Sequence, residues 1–78
     1  MKTFNIKLSS IEDVKKFVAA ACSCACDIDI ISGRYLVDAK SIMGVFSLDL
    51  TKPIMVDVKG DEAGAEQFKR DIISLVVE

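Results

Sequence analysis

A serine and the short apolar run behind it form the first candidate site in this sequence. Ser41 precedes that run in the segment KSIMGVFSL, residues 40–48. Its hydroxyl can cap a short helix by accepting a hydrogen bond from a backbone N–H two or three residues later. A phosphate on the same hydroxyl would meet the free N–H groups at the start of that helix, with Lys40 beside it. We therefore interpret Ser41 in two ways, as a plain helix cap or as a phosphorylation site.

The apolar run behind Ser41 is the second part of this candidate site. Its large apolar side chains are Ile42, Met43, Val45, Phe46 and Leu48. A helix of about two turns has one narrow buried face, so we expect part of the run to remain in solvent. Gly44 would let a partner approach closely. An exposed apolar patch of this kind is typical of a docking surface. The alternative is a segment that lies flat over a sheet edge, with all of these side chains in the core.

Three cysteines near the end of the first predicted helix, Cys22, Cys24 and Cys26, are a candidate thiol site. On a helix, residues two apart diverge, so that only Cys22 and Cys26 share a face. Two thiolates without a second cysteine pair or a histidine are too few for a zinc site. We interpret these cysteines as small core residues, with Cys22 on the apolar stripe of its helix. A redox role and a metal site are the alternatives, and we predict neither a metal nor a cofactor.

The chain contains no histidine. This removes the commonest general base and a frequent metal ligand, and it excludes any phosphohistidine. Glu12 and Asp13 follow Ser9 and Ser10 at a spacing of three residues, which is the pattern of a helix cap rather than of an acid–base pair. We therefore predict that the protein has no catalytic residues and is not an enzyme.

Size and charge limit the class of protein further. Seventy-eight residues make a single domain, residues 1–78, with one core. A net charge of −2, from ten basic and twelve acidic residues, offers no basic surface for nucleic acid or for an anionic membrane. No apolar stretch approaches the ~18 residues of a membrane span, and the alternating N-terminus is unlike a signal peptide. Together with an odd number of cysteines, these features predict a cytoplasmic protein.

Hydrophobic periodicity predicts the elements that must position these residues. Alternation predicts strands at residues 3–8, 28–31, 35–37 and 54–58, with a turn at Ser32–Gly33. Apolar stripes at residues 11, 14, 17, 18, 21, 22 and 25 and at residues 65, 68, 72, 75 and 76 predict two long helices, and residues 41–48 predict a short one. The order β-α-β-β-α-β-α then predicts an α+β open-faced β-sandwich, whose antiparallel four-stranded sheet is covered by helices on one face.

This order of elements and the residues AKSIMGVFSL, residues 39–48, resemble the HPr family. Its members are small phosphocarrier proteins of the bacterial phosphoenolpyruvate-dependent sugar phosphotransferase system. The resemblance covers nearly the whole chain. It implies that Ser41 is the regulatory site of an ATP-dependent HPr kinase/phosphorylase. It also implies that the segment binds phosphotransferase-system enzymes and a catabolite-control transcription regulator. The implied partner-binding residues are Lys40, Ile42, Met43, Gly44, Phe46 and Leu48.

The sequence departs from this family before the first helix. The carrier histidine of the family lies there in a GxHARP-like stretch, whereas this chain reads LSSIEDV at residues 8–14. Counting back from Ser41 without gaps places Ser10 about where that histidine belongs. A serine hydroxyl without an adjacent base is a weak nucleophile, and its phosphate ester is stable. By losing the histidine and keeping the regulatory serine, the chain is similar in category to the catabolite-repression homologue of the family.

These features predict a non-catalytic, regulatory protein-binding module that acts through residues 41–48, with phosphorylation of Ser41 as its switch. We expect a monomer or a weak homodimer. One alternative is a residual phosphotransfer protein with a non-histidine acceptor such as Cys24 or Ser10. Another is a structural domain, a decayed paralogue in which the same patch forms a homodimer.

Overall fold

The computed structural model describes residues 2–77, which form one sheet with helices packed against one of its faces. The elements in chain order are β1 (Thr3–Ile6), α1 (Ile11–Ser23), β2 (Asp27–Ser32), β3 (Tyr35–Asp38), α2 (Ile42–Phe46), β4 (Ile54–Lys59), α3 (Glu62–Asp71), a 3₁₀ helix (Ile73–Leu75) and β5 (Val76–Val77). The α+β class and the antiparallel, open-faced arrangement predicted from the sequence are confirmed. None of the helices within residues 2–77 has the length and apolar content needed to cross a membrane.

Within residues 2–77 the sheet has five strands in the order β3-β2-β4-β1-β5, one more than predicted. The additional strand is β5, which the apolar stripe had assigned to the last helix. Helix α3 instead ends at Asp71, and the 3₁₀ helix redirects the chain so that β5 pairs with β1. The pairing continues past β1, because the N–H of Lys7 donates to the carbonyl of Leu75 at 2.9 Å. A strand of two residues is too short for alternation to reveal it.

Helix α1 is shorter than predicted, because it ends at Ser23 rather than near Ala25. The next residue, Cys24, is already extended, with φ −83° and ψ 135°. The buried residues of α1 are Val14, Phe17, Val18 and Ala21. The two ends of the predicted stripe are wrong, since Ile11, Cys22 and Ala25 are exposed. The apolar face of α1 therefore covers about two turns at its centre.

One hydrophobic core fills the space between the sheet and the helices. Its floor consists of the inward side chains of Ile6, Ile28, Ile30, Ile54, Val56 and Val58. Phe17 of α1 and Phe68 of α3 lie above this floor in edge-to-face contact, with ring centroids 5.8 Å apart. Burial of one such ring contributes roughly 1.5–3 kcal/mol, so this contact fixes the two long helices against each other.

Strands β2 and β3 form a hairpin whose turn is Gly33–Arg34, one residue later than predicted. Gly33 has φ +61°, in the left-handed region that glycine enters without strain. Arg34 does not share the positive φ. Glycine alone at the first of two central positions is the pattern of a type II′ turn, which suits the twist of a hairpin.

The outer face of the sheet is covered by no helix in the described part of the chain. It carries the exposed side chains of Asn5, Leu36 and Met55. Lys59 lies on the same face, 3.1 Å from the carboxylate of Asp57. This hydrogen bond and the charge of Asp57 raise the pKa of the Lys59 amine.

Candidate partner-binding site

Helix α2 is anchored by two apolar side chains that point into the core. Val45 is fully buried, and Leu48, just after the helix, is 9% exposed. The expectation that Leu48 contributes to a partner surface is therefore wrong, because its side chain already packs within the protein. A helix of five residues is unstable by itself, so these two anchors hold it in place.

The other side of α2 presents Ile42, Met43 and Phe46 to solvent, and we call these three residues the α2 surface. Their exposed fractions are 37%, 77% and 41%. The expectation that part of the apolar run remains in solvent is confirmed, and the all-core alternative is wrong. Gly44 is only partly exposed: a Cβ there would lie 3.4 Å from Ser41 Oγ. The side of Gly44 on which a Cβ would stand therefore faces the protein itself.

Ser41 is the N-cap of α2, as predicted. Its backbone is extended, with φ −102° and ψ 103°, and its Oγ accepts a hydrogen bond from the N–H of Gly44 at 3.3 Å. The residue is exposed. The hydroxyl is therefore accessible, and the hydrogen bond that it accepts from Gly44 is long. This geometry permits phosphorylation of Ser41, which stays a prediction.

Lys40 ties the Ser41 segment to the end of α1. Its ammonium donates to the carbonyl of Cys24 at 3.1 Å, next to the C-terminus of α1, where a cation is favourable. The thiol of Cys22 donates to the carbonyl of Lys40 at 3.7 Å. The turn before α2 is held by Asp38, whose carbonyl accepts from the N–H of Ser41 at 3.0 Å. The Lys40 side chain therefore holds the residue before Ser41 against Cys24, the C-cap of α1.

Ser10 and the α2 surface meet in one cleft of about 320 Å³, which is lined by both Ser10 and Phe46. Lys7 also lines this cleft, but its ammonium donates to the carbonyl of Leu50 at 3.0 Å. Ser10, which the count along the sequence predicts to stand about where the carrier histidine of the family belongs, thus lies beside α2. Sequence spacing did not reveal this, because the two segments are more than thirty residues apart.

Ser10 acts as the N-cap of α1, and its surroundings are acidic. Its Oγ accepts from the N–H of Asp13 at 3.1 Å, and the carboxylate of Asp13 accepts from the N–H of Ser9 at 3.0 Å. The negative charge of Asp13 opposes the approach of a phosphoryl donor. This geometry favours a capping role for Ser10 over that of a phosphoryl acceptor.

The three cysteines do not converge on one point. Cys22 is exposed, so its interpretation as a core residue is wrong. Cys24 and Cys26 are partly buried and line a second cleft, of about 570 Å³. Within residues 2–77, no group of three or more potential ligands is arranged to hold a metal ion.

Cys26 packs closely against two glycines. A Cβ on Gly60 would lie 2.1 Å from Cys26 Sγ, and one on Gly64 would lie 2.8 Å from it. Burial raises the pKa of the Cys26 thiol, and Cys24 and the charge of Asp61 raise it further. A thiol that stays protonated is a poor nucleophile and a poor ligand, so this environment favours the structural interpretation of Cys26.

The fold and the site together define a class of protein. It is an open-faced α+β protein with a capped, partly exposed short helix before β4. A family model described as the PTS HPr component phosphorylation site matches residues 13–78. The chain therefore belongs to the HPr family of phosphocarrier proteins of the phosphotransferase system. The matched range includes Ser41 and α2, whereas Ser10 lies outside it. No curated protein matches the chain.

Solved structures of similar fold are themselves phosphocarrier proteins. The crystal structure of HPr-C-His from Thermoanaerobacter tengcongensis has a TM-score of 0.78 and 24% identity, covering 97% of this chain and 91% of that one. The histidine-containing phosphocarrier protein of Mycoplasma has a TM-score of 0.73 and 19% identity, and the match covers 92% of this chain and 88% of that one. The phosphocarrier protein HPr from Bacillus anthracis has a TM-score of 0.73 and 24% identity, and the match covers 96% of this chain and 95% of that one. At these identities the likeness supports the fold.

Proposed function

We propose that this protein is a regulatory, non-catalytic binding module of the phosphotransferase system that acts through the α2 surface. The exposure of that surface carries the proposal: three large apolar side chains, 37–77% exposed, lie within five residues. Methionine and phenylalanine are enriched at protein interfaces, and exposed apolar clusters commonly mark them. Membership in a phosphocarrier family, in a chain without histidine, directs the proposal toward regulation rather than carriage.

Phosphorylation of Ser41 would serve as the switch of this module. A phosphate there changes the net charge from −2 to about −4 and adds the new charge directly before Ile42 and Met43. Charge at the rim of an interface changes partner choice and association rate more than it changes packing. A partner with basic residues around an apolar groove would then be favoured, and an acidic one rejected. Partners known for the family are HPr kinase/phosphorylase, a catabolite-control regulator and phosphotransferase-system enzymes.

Incubation with HPr kinase/phosphorylase and ATP, followed by peptide mass spectrometry, tests this switch. The wild type should gain one phosphate on Ser41, and Ser41→Ala should gain none. Ser47→Ala is the matched control, because Ser47 is the exposed serine that follows α2 as its C-cap, and its loss should leave phosphorylation unchanged. Absence of phosphate from the wild type, under conditions that modify an authentic HPr, would contradict the switch.

The non-carrier part of the proposal has its own test. In a mixture of phosphoenolpyruvate, Enzyme I and this protein, no phosphoryl group should be transferred to the chain, whereas an authentic HPr in a parallel reaction should be labelled. Support comes from the capped, acidic setting of Ser10 and from the partly buried setting of Cys26, whose thiol pKa is raised. Labelling of Ser10 or of a cysteine would favour the alternative, a phosphotransfer protein with an unusual acceptor.

A further inference from the structure

The edge of the sheet at β3 is open in the described part of the chain. β3 is the last strand in the order β3-β2-β4-β1-β5, so one side of its backbone faces no other strand of the described chain. Natural sheets usually blunt such an edge with proline, lysine or a β-bulge. The sequence of β3, YLVD, has no proline or lysine, its one charged residue is Asp38 at its end, and its pairing with β2 has no bulge. Its backbone is therefore suited to accept another strand.

The hairpin register identifies which backbone groups face outward. The N–H of Ala39, one residue after β3, donates to the carbonyl of Ile28 at 2.9 Å. Bonded and non-bonded pairs alternate along an antiparallel ladder, so the N–H groups of Leu36 and Asp38 point away from β2. The carbonyl of Asp38 already accepts from Ser41, at 3.0 Å. Leu36 is thus the residue of β3 whose N–H and C=O are both directed to the open side.

The side chains along this edge are self-complementary. Tyr35 and Leu36 are 67% and 64% exposed, and they lie on opposite faces of the sheet. Arg34 and Asp38 stand two positions before and after Leu36, with opposite charges, and both are exposed. Within residues 2–77, neither Arg34 nor Asp38 forms an ion pair. A second copy of the same strand, turned through 180°, would present the missing charge to each.

We propose that two copies of this chain associate by pairing their β3 strands antiparallel, with Leu36 on the two-fold axis. Leu36 of each copy exchanges N–H···O=C hydrogen bonds with Leu36 of the other. Arg34 of each copy lies opposite Asp38 of the other, which gives two ion pairs. A shift of one residue would place non-bonding groups opposite each other, and a shift of two would separate the charges.

This pairing is closed by symmetry and small in area. Two five-stranded sheets become one continuous sheet, and both β3 edges are used, so that no third copy can add there. An interface of five residues per copy, the four of β3 and Arg34 before it, is below the size of stable dimers, so the association is weak. We call the paired β3 strands the seam. The α2 surface is not part of it, and the proposal is therefore independent of the proposed function.

Sedimentation velocity from ~10 μM to ~1 mM tests the association, since a small interface gives a weak, concentration-dependent dimer. The wild type should shift from monomer to dimer, whereas Arg34→Glu and Asp38→Lys should each remain monomeric. An equimolar mixture of the two variants should form a heterodimer, because Glu opposes Lys and the native Arg34 opposes the native Asp38. Recovery in the mixture requires the proposed register, because a general loss of stability in either variant could not restore association.

Met43→Asp on the α2 surface is the control for the seam. It should dimerise like the wild type, since the seam lies elsewhere. A wild type that stays monomeric at ~1 mM would overturn the proposal, as would a mixture that does not associate. Loss of the dimer in Met43→Asp would instead assign self-association to α2. Amide exchange at Leu36 gives a second measurement: its protection should rise with protein concentration.

Discussion

The hydroxyl of Ser41 accepts a hydrogen bond from the N–H of Gly44 at 3.3 Å, and it remains exposed while doing so. One oxygen atom therefore closes the first turn of α2 and is also open to modification. Because α2 carries the exposed apolar side chains, a change at this oxygen affects both the stability of the helix that presents the α2 surface and the charge beside that surface.

Replacement of Ser41 by alanine should lower the free energy of unfolding by about 0.5–2 kcal/mol, because the cap is lost. Ser41→Asp should lower the free energy of unfolding less than Ser41→Ala does, since aspartate caps helices equally well and its charge is favourable at a helix start. Urea titration followed by circular dichroism measures both. If Ser41→Ala were as stable as the wild type, the hydrogen bond to Gly44 would contribute nothing to the fold.

Gly44→Ala should raise the free energy of unfolding by up to about 1 kcal/mol, because glycine is a poor helix former. The added Cβ would lie 3.4 Å from Ser41 Oγ and 3.6 Å from Val37 Cβ, within ordinary contact distance. The same urea titration measures the change. A destabilised variant would show that the space between α2 and β3 is too small for a methyl group.

Gly60→Ala should be strongly destabilising, because its Cβ would lie 2.1 Å from Cys26 Sγ. The neighbouring thiol must then move, and overpacking of this kind typically costs 1–3 kcal/mol. Adding Cys26→Ala to Gly60→Ala should recover part of the loss, so the two changes should not be additive. Thermal unfolding of the two single variants and the double variant measures this coupling, and strict additivity would contradict the contact.

The pH dependence of stability should include a contribution from Asp49. The hydroxyl of Thr51, at 2.5 Å, and the N–H of Thr51, at 3.1 Å, lower the pKa of the Asp49 carboxyl. A lowered pKa stabilises the folded state above the unfolded value of about 3.9, and this stabilisation is lost as the pH falls through the folded pKa. Thr51→Val keeps the N–H and removes the hydroxyl, so the Asp49 pKa should rise.

An NMR titration of the Asp49 carboxyl measures that shift. Stability of the variant should also decline less on acidification, because a smaller difference in pKa between the folded and unfolded states releases less free energy. An Asp49 pKa identical in the variant and the wild type would show that the Thr51 hydroxyl has no influence on it.

Alternation and helical stripes sufficed to predict the main strands, both long helices and the short α2. They succeeded where one face is buried, as at Val14 and Phe17 of α1. They failed where tertiary contacts decide the structure: β5 depends on its pairing with β1, which periodicity does not encode. Leu48 was misplaced for the same reason, because its burial depends on where the chain leaves α2.

The candidate site was predictable in part. The spacing of Ser41 from Gly44 indicated the cap, and the density of apolar residues indicated exposure. The orientation of Lys40 toward Cys24 was not predictable, because it depends on where α1 ends. Nor was the cleft that joins Ser10 to Phe46, since no local pattern connects them. That the edge formed by Tyr35 and Leu36 is free in the described chain follows from the strand order, which no pattern in the sequence encodes.

The most direct test of the α2 surface is an NMR titration of labelled protein with unlabelled HPr kinase/phosphorylase. The largest changes should fall on the amides of residues 41–48. Met43→Asp should weaken binding at least ~10-fold, as expected for a central apolar contact. Met55→Asp, on the outer face of the sheet, should leave binding unchanged. Equal losses in the two variants, or changes centred on the outer face, would contradict the account.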